Sequence, residues 1–219
     1  MEERKTNLGV SLYSKIFALM FLGLGLTALI SFYCYNTGMT ENLLIDGGFN
    51  LLLIIEVIVV IVFRLLLYKV SPMVATGLFF IYAAINGVTL SIIYYMYEMT
   101  SILTILLISA LLFGGFAIVG YATKRDLTKL GSICMGVLIA GIIASLINLF
   151  MQNTMLDIAL SWIILIVFFG ITAYDMQKIK RYEEQGIIGD KLYIYGALEL
   201  YLDFINIFIR ILSLFGKRK

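Results

Sequence analysis

Histidine is absent from this sequence of 219 residues, and charged side chains are scarce. Asp, Glu, Lys and Arg make up 14% of the chain, whereas soluble domains contain roughly 25%. Without histidine, the chain lacks the commonest zinc ligand and the usual proton shuttle near neutral pH. The two cysteines, Cys34 and Cys134, lie in or beside apolar segments without Cys-x-x-Cys spacing. We expect both to be small buried hydrophobic residues rather than metal or redox groups.

Recognisable catalytic motifs are also missing. The sequence contains no Gly-rich phosphate-binding loop, no metalloprotease motif and no Ser/His/Asp set. The glycines of "GGFAIVG", residues 114–120, are typical of helix packing in membranes, because no lysine stands at phosphate-binding spacing. We therefore expect a protein that is not an enzyme, carries no cofactor and binds no nucleic acid.

Long apolar runs are what the sequence has in abundance. Hydrophobic residues make up 62% of the chain, and their runs approach the ~20 residues that cross a lipid bilayer. These runs predict an all-α polytopic membrane protein with seven transmembrane helices in a single integral membrane domain, residues 1–219. The predicted helices lie near residues 14–36, 49–68, 73–97, 102–123, 130–150, 158–177 and 190–216. The first run is long for a signal peptide and lacks a small-residue cleavage site, which favours a retained span.

Basic residues occur in alternate loops. Lys and Arg stand before the first run and in the loops after the second, fourth and sixth runs. The other loops, 37–48, 98–101 and 151–157, contain no Lys or Arg and carry Asp or Glu. Because basic residues prefer cytoplasmic loops, this pattern predicts a multi-pass protein with its N-terminus in the cytoplasm.

The basic stretch "GKRK", residues 216–219, departs from this pattern. If the seventh run spans the membrane, these residues lie outside, against the charge bias. A re-entrant seventh segment would remove the conflict. We expect a full span with the C-terminus outside, because one segment cannot easily be reoriented alone.

Polar residues of the seventh run fall on one stripe of the predicted helix. Glu199, Asp203, Asn206 and Arg210 follow the i, i+4, i+7, i+11 spacing of a helix face. Ionisable residues inside membranes usually face the bundle interior or a water-filled cavity. The stripe therefore predicts that the last helix is central in the bundle.

The end of the sixth run provides a candidate partner for Asp203. If helices six and seven form a hairpin that turns at Gly186 and Gly189, Asp175 and Asp203 each stand 14 residues from Gly189. Their carboxylates would then lie at similar depth on adjacent helices. Two carboxylates in contact cannot both ionise at low cost, so the pair is expected to share a proton or to attract a cation. Hard oxygen ligands suit calcium or magnesium better than zinc or copper.

A purely structural role is the alternative for these charges. Asp203 and Arg210 are seven residues apart, about 10 Å of helical rise, so Asn206 would have to bridge them. Glu199 would then be a wetted group near the cytoplasmic mouth.

The second run carries two further candidates, Glu56 and Arg64. They are eight residues apart on roughly one helix face, and Arg64 stands nearer the cytoplasm. Arg64 is either a counter-ion of the aspartates or a side chain that extends to the membrane surface.

Four stretches resemble the Bax inhibitor-1 family, also called the transmembrane Bax inhibitor motif family. The two most specific are "AYDMQKI" at 173–179 and "LELYLDFINIFIRIL" at 198–212, which are similar to the C-terminal signature of the family. "LLFGGFAIVGYATKRDLTKLGS" at 111–132 and "AAINGVTLSIIY" at 83–94 are similar to more central parts. Asn86 is a departure, because many members have glutamate at that position.

The resemblance implies seven helices with the last enclosed by six others. It also implies a pH-sensitive calcium leak of the cell membrane, gated by the two aspartates that match Asp175 and Asp203. Arg64 would correspond to an arginine at the cytoplasmic end of the family's second span. The alternative is a non-conducting regulatory protein that binds a membrane protease or another membrane partner, with "KIKRYEEQGIIGDK", residues 178–191, as its contact surface.

Overall fold

The computed structural model describes residues 2–67, 69–186 and 189–219, and this part of the chain is helical throughout apart from turns and short connections. The helices are α1 (Glu2–Asn36), α2 (Met39–Ile45), α3 (Gly48–Leu66), α4 (Pro72–Leu90), α5 (Ile93–Met96), α6 (Met99–Ala122), α7 (Thr128–Met151), α8 (Thr154–Glu184) and α9 (Asp190–Phe215). The predicted all-α class is confirmed over these residues.

Five helical stretches in the described residues are long and apolar enough to cross a membrane. They are Leu12–Asn36, Pro72–Met96, Met99–Ala122, Thr128–Asn148 and Thr154–Glu184. The second and seventh predicted spans correspond to α3 and α9, which are helical but are not among these five. A multi-pass membrane protein is therefore supported, and the count of seven spans stays a prediction.

Helix ends follow local capping chemistry. The Ser71 hydroxyl caps α4 by accepting a hydrogen bond from the Val74 backbone, and Pro72 fills the first helical position, where no amide hydrogen is needed. After α8, Gly186 has φ of +74°, a conformation that favours glycine, so the chain turns at one of the two predicted glycines.

Two helix bounds differ from the sequence prediction. The first helix begins at Glu2 rather than near residue 14, because its polar opening residues are compatible with helix and need not lie in lipid. The predicted loop 37–48 contains the short helix α2, which lies between Gly38 and Gly47, both with positive φ.

The described chain divides into two compact units, each discontinuous in sequence. The first comprises residues 1–97, 187–201 and 219, and the second comprises residues 98–186 and 202–218. A single integral membrane domain over residues 1–219 stays a prediction, because two units defined by contacts can belong to one domain. The boundary at residues 201–202 lies within α9, so the two parts of that helix belong to different units.

In the first unit, α1 packs against α4 through small residues. A Cβ atom on Gly87 would approach the Thr27 carbonyl oxygen to 2.8 Å, so the absence of a side chain permits this close approach. The α9 residues of this unit are deeply buried, with Ala197, Leu198 and Tyr201 fully enclosed.

In the second unit, α8 packs closely against both α6 and α7. A Cβ atom on Gly120 of α6 would overlap the backbone of Ala173, and one on Gly131 of α7 would lie 2.5 Å from the Tyr174 ring. The α9 residues of this unit are again mostly buried, including Ile207 and Ile211. The enclosure of the last helix by six others stays a prediction.

Candidate functional site

Both predicted gate residues lie in the second unit and are buried. Asp175 stands on α8 with 6% of its surface exposed, and Asp203 stands on α9 with 3% exposed. Burial of two carboxylates is unusual, because Asp is almost never fully buried unless it is paired. The two residues are thus the strongest candidates for a site in this unit.

A ring contact toward the other end of the same helices indicates how α8 and α9 align. Trp162 of α8 and Phe215 of α9 meet edge to face with ring centroids 5.5 Å apart. From Trp162 to Asp175 is 13 residues, and from Phe215 back to Asp203 is 12. At 1.5 Å per residue these are rises of about 20 Å and 18 Å along antiparallel helices. The alignment therefore favours similar heights for the two carboxylates, independently of the count from the glycine turn.

Close packing positions the α8 segment that carries Asp175. The two residues before it, Ala173 and Tyr174, are those that contact Gly120 of α6 and Gly131 of α7. Since neither glycine leaves space for a side chain, this part of α8 has little freedom to shift or rotate. On α9, Phe204 follows Asp203 and meets Phe113 of α6 edge to face at 5.7 Å.

Asn206, in the α9 stripe, is bonded within its own helix. Its amide nitrogen donates to the Leu202 carbonyl oxygen at 2.8 Å. Arg210 is influenced electrostatically by Asp157 in the first turn of α8.

The loop between α6 and α7 is held against α8 by a polar cluster. Gln177 accepts a hydrogen bond from the Leu127 backbone at 2.9 Å and donates to the Arg125 carbonyl oxygen at 2.7 Å. Arg181 donates to Asp126 at 2.5 Å and to the Thr128 hydroxyl at 2.8 Å. Hydrogen bonds from Thr128 and Arg181 hold the pKa of the Asp126 carboxyl well below its usual range. This cluster begins two residues after Asp175 along α8.

Arg64 and Glu199 form an ion pair in the first unit. The guanidinium of Arg64 on α3 lies 2.8 Å from the Glu199 carboxylate on α9, and the two side chains are 46% and 12% exposed. Glu199 is therefore largely enclosed and charge-paired, rather than a wetted group at a mouth. The Arg64 contact that the structure shows is with this glutamate.

Two further polar contacts lie inside the first unit. The side-chain amide of Asn86 on α4 donates a short hydrogen bond to the Glu56 carboxylate on α3. The Thr27 hydroxyl on α1 lies 2.9 Å from the Ala83 carbonyl oxygen and 2.7 Å from the Tyr201 hydroxyl on α9. Such contacts satisfy polar groups that lipid cannot solvate.

Sequence reasoning did not foresee Gln177, Asn86 or Tyr201 as contact residues. Gln177 and Arg181 are four residues apart on α8, so the helical spacing indicated a shared face but gave no partner loop. Asn86 was recognisable as a polar residue in an apolar run, whereas Tyr201 was indistinguishable from the many other tyrosines. Among the described residues, no group of three or more Cys, Asp or Glu side chains is arranged to hold a metal ion.

The long apolar helices, the buried polar pairs and the small-residue packing define a multi-pass helical membrane protein. The sequence matches the family "Inhibitor of apoptosis-promoting Bax1" over residues 10–219. The chain belongs to this family, the Bax inhibitor-1 family, as its motifs predicted.

Similar proteins occur in distant bacteria. The chain is 39% identical to the inner membrane protein YbhL of Escherichia coli strain K12, over 94% of this chain and 91% of that protein. It is 39% identical to an uncharacterized membrane protein of Streptococcus pyogenes serotype M3, over 94% and 92%. It is 34% identical to an uncharacterized protein of Borreliella burgdorferi, over 94% and 91%. The first two relatives are membrane proteins by name, which supports a membrane location for this chain.

Proposed function

We propose that this protein is a pH-sensitive calcium leak channel of the cell membrane, gated by Asp175 and Asp203. The observation that carries the proposal is the burial of both carboxylates in one unit. The ring contact between Trp162 and Phe215 supports similar heights for the two on α8 and α9. Family membership adds support, because the two residues lie in the motifs that resemble the family signature.

The chemistry of two neighbouring carboxylates explains the proposed gating. When the pair holds a proton, the two groups share a hydrogen bond and the α8–α9 contact is stabilised. When the pair loses that proton, two negative charges in a poorly solvated site repel each other or attract a cation. Carboxylate oxygens are ligands that calcium accepts, so the opened site would also present the ion with oxygen ligands.

The proposal is tested by calcium flux into liposomes that contain the purified protein and a trapped calcium dye. We expect flux to depend on pH in the wild type, and Asp203→Asn and Asp175→Asn each to abolish that dependence. Asp46→Asn is the matched control, because Asp46 is an exposed aspartate outside both motifs. Unchanged flux and unchanged pH dependence in both gate variants would overturn the proposal.

The same measurement decides the alternative function. Flux no greater than in empty liposomes, together with a membrane protease or another membrane protein that copurifies through residues 178–191, would replace the channel by a regulatory protein. Calcium flux that requires Asp203 would support the channel, with calcium as its permeant ion and not as a bound cofactor.

A further inference from the structure

Glu56 is an ionisable residue in the middle of a helix that the aspartate gate does not use. It is the ninth of the 19 residues of α3 and is partly buried in the first unit. Its carboxylate accepts the short hydrogen bond from the Asn86 side-chain amide. This contact joins α3 to α4 at a depth where a charged group requires compensation.

The side-chain oxygen of Asn86, Oδ1, is the unusual feature. Asn86 is only 4% exposed, and within the described structure its Oδ1 atom is buried without a hydrogen-bond partner. Oδ1 belongs to the same amide whose nitrogen contacts Glu56, so it lies beside the carboxylate. The Thr89 hydroxyl, one turn farther along α4, is within hydrogen-bonding reach of Glu56 and donates to the Ile85 carbonyl oxygen. Three oxygen-bearing side chains are thus gathered at one place.

The nearest basic residue of α3 is engaged elsewhere. Arg64 stands eight residues from Glu56, about 12 Å of helical rise, and its guanidinium is bound to Glu199. The ion pairs found in residues 2–67, 69–186 and 189–219 do not include Glu56. Compensation of the Glu56 charge must therefore come from a proton or from a bound cation.

A proton on Glu56 neutralises its charge but does not by itself supply Oδ1 of Asn86 with a donor in the present orientation. The Tyr82 hydroxyl, one turn back on α4, interacts with the Asn86 side chain and is the other candidate donor. If the amide is rotated so that Oδ1 accepts the Glu56 proton, its NH₂ group loses the carboxylate acceptor. A cation that binds the Glu56 carboxylate and Oδ1 together satisfies both groups and neutralises the charge.

The oxygen ligands define the class of cation. Carboxylate, amide and hydroxyl oxygens are hard ligands, which suit calcium and its relatives rather than zinc or copper. Calcium accepts six to eight oxygens at about 2.3–2.6 Å, so three side chains would leave most positions to water. Such a site holds an ion weakly enough to release it, as conduction requires.

We infer that Glu56 and Asn86 form a weak calcium-binding site in the first unit, with Thr89 beside it. The choice of calcium rests on the proposed function, whereas the site itself rests on the contacts of Glu56 and Asn86. It is a second location for the ion, built from α3 and α4 and from none of the residues of the aspartate gate.

Equilibrium binding tests this site separately from flux. The full-length protein in lipid nanodiscs is loaded with terbium, a calcium-like ion whose luminescence increases near tyrosine, and calcium is added to displace it. Glu56→Gln removes the charge, Asn86→Leu removes Oδ1 at similar volume, and Asn86→Asp adds a second carboxylate. Asn148→Leu is the matched control, because the Asn148 amide is bonded to the Asn153 backbone at the end of α7, in the second unit.

We expect Glu56→Gln and Asn86→Leu each to weaken one calcium-displaceable terbium site about tenfold, and Asn86→Asp to strengthen it about tenfold, because affinity follows ligand number and charge. Asn148→Leu should leave the affinity of this site unchanged.

If Glu56→Gln does not fold, the affinity gain of Asn86→Asp still decides whether the site exists. Equal affinity in wild type and Asn86→Asp, or terbium binding that only Asp203→Asn removes, would overturn the inference. Loss of flux in Asp203→Asn with this binding retained separates the two proposals.

Discussion

Arg64 and Glu199 show how individual side chains make charge tolerable inside the first unit. Glu199 is 12% exposed and lies 2.8 Å from the Arg64 guanidinium. An enclosed carboxylate loses most of its hydration, and a charged hydrogen-bond donor offsets that loss. The pair is therefore expected to stabilise the fold mainly by preventing an uncompensated charge.

Arg64→Ala is expected to destabilise the protein by about 1–3 kcal/mol, because Glu199 loses its guanidinium while remaining enclosed. Thermal unfolding in detergent measures this change. Combining Arg64→Ala with Glu199→Gln should recover much of the loss, since a neutral amide is less costly to bury. Lys69→Ala is the control, because Lys69 is exposed. A double variant that is no more stable than Arg64→Ala would contradict the argument.

The Thr27 hydroxyl gives a second prediction at this scale. It bonds the Gly23 and Ala83 carbonyl oxygens and the Tyr201 hydroxyl, all within the first unit. Thr27→Val keeps the shape but leaves the buried Tyr201 hydroxyl without this partner, which should cost about 1–3 kcal/mol of stability. Thr104→Val is the control, because the exposed Thr104 bonds only the preceding turn of its own helix. Equal melting temperatures for the two variants would show that the Tyr201 contact is unimportant.

Among the elements, α8 is the helix whose position most affects the proposed gate. Gly120 of α6 contacts the Ala173 backbone, two residues before Asp175. A backbone cannot move aside as a flexible side chain can, so α6 and α8 must separate if a Cβ atom is added.

Gly120→Ala is therefore expected to lower stability by roughly 1–3 kcal/mol, as overpacking does, and to alter the pH dependence of calcium flux. Gly114→Ala and Gly115→Ala are controls on the same helix, since a Cβ atom on either meets nothing within 4 Å. Those two should be neutral or slightly stabilising, because alanine favours helix over glycine. Detergent unfolding and the liposome assay report the two effects, and a Gly120→Ala protein as stable as the controls would refute the packing argument.

The α6–α7 loop supplies a pH-dependent prediction outside the membrane-spanning segments. Because the pKa of the folded Asp126 carboxyl is lowered, its ionised form stabilises the fold above the unfolded pKa of about 4. That contribution is lost as the pH falls from about 4 toward the lower pKa of the folded state. Asp126→Asn should therefore reduce the melting temperature at pH 7, and the difference from wild type should shrink below pH 4. A difference that grows on acidification would contradict this assignment.

For the whole molecule, the location of residues 216–219 bears on topology. Lys217 forms an ion pair with Glu98 at 2.8 Å, and its backbone carbonyl accepts a hydrogen bond from the Glu98 amide. Lys219 donates to the Tyr94 carbonyl oxygen at 2.5 Å. One of the three basic residues of this stretch, Lys217, is thus paired with the acidic Glu98, which compensates a charge that the positive-inside rule would place in the cytoplasm.

We predict that residue 218 and the loop at residues 98–101 face the same side, outside the cell. In a protein without Cys34 and Cys134, a membrane-impermeant maleimide should label Arg218→Cys and Met99→Cys in intact cells. Lys124→Cys should be labelled only after lysis, because its loop is rich in Lys and Arg. Labelling of Lys124→Cys but not Arg218→Cys in intact cells would reverse the topology.

Sequence reasoning predicted the helical class, which the described residues confirm, and it proposed the two aspartates, whose role stays a prediction. Both were accessible because apolar runs, turn glycines and the i, i+4 stripe are local patterns. Sequence reasoning could not assign partners to Arg64, Asn86 or Gln177, because those contacts join residues 135, 30 and 50 positions apart. The short helix α2 was missed because its seven residues carry too few apolar positions to show a period. Burial of Asp175 and Asp203 was predictable, whereas the interlocking of Gly120 with Ala173 required the coordinates.

The division of α9 at residues 201–202 has a genetic consequence. Each unit takes one part of its chain from before α9 and another from within it. A premature stop codon anywhere before residue 190 would therefore remove portions of both units at once and leave neither intact. Supplying the missing α9 segment as a separate polypeptide would have to complete both units together, so partial rescue of only one is not expected.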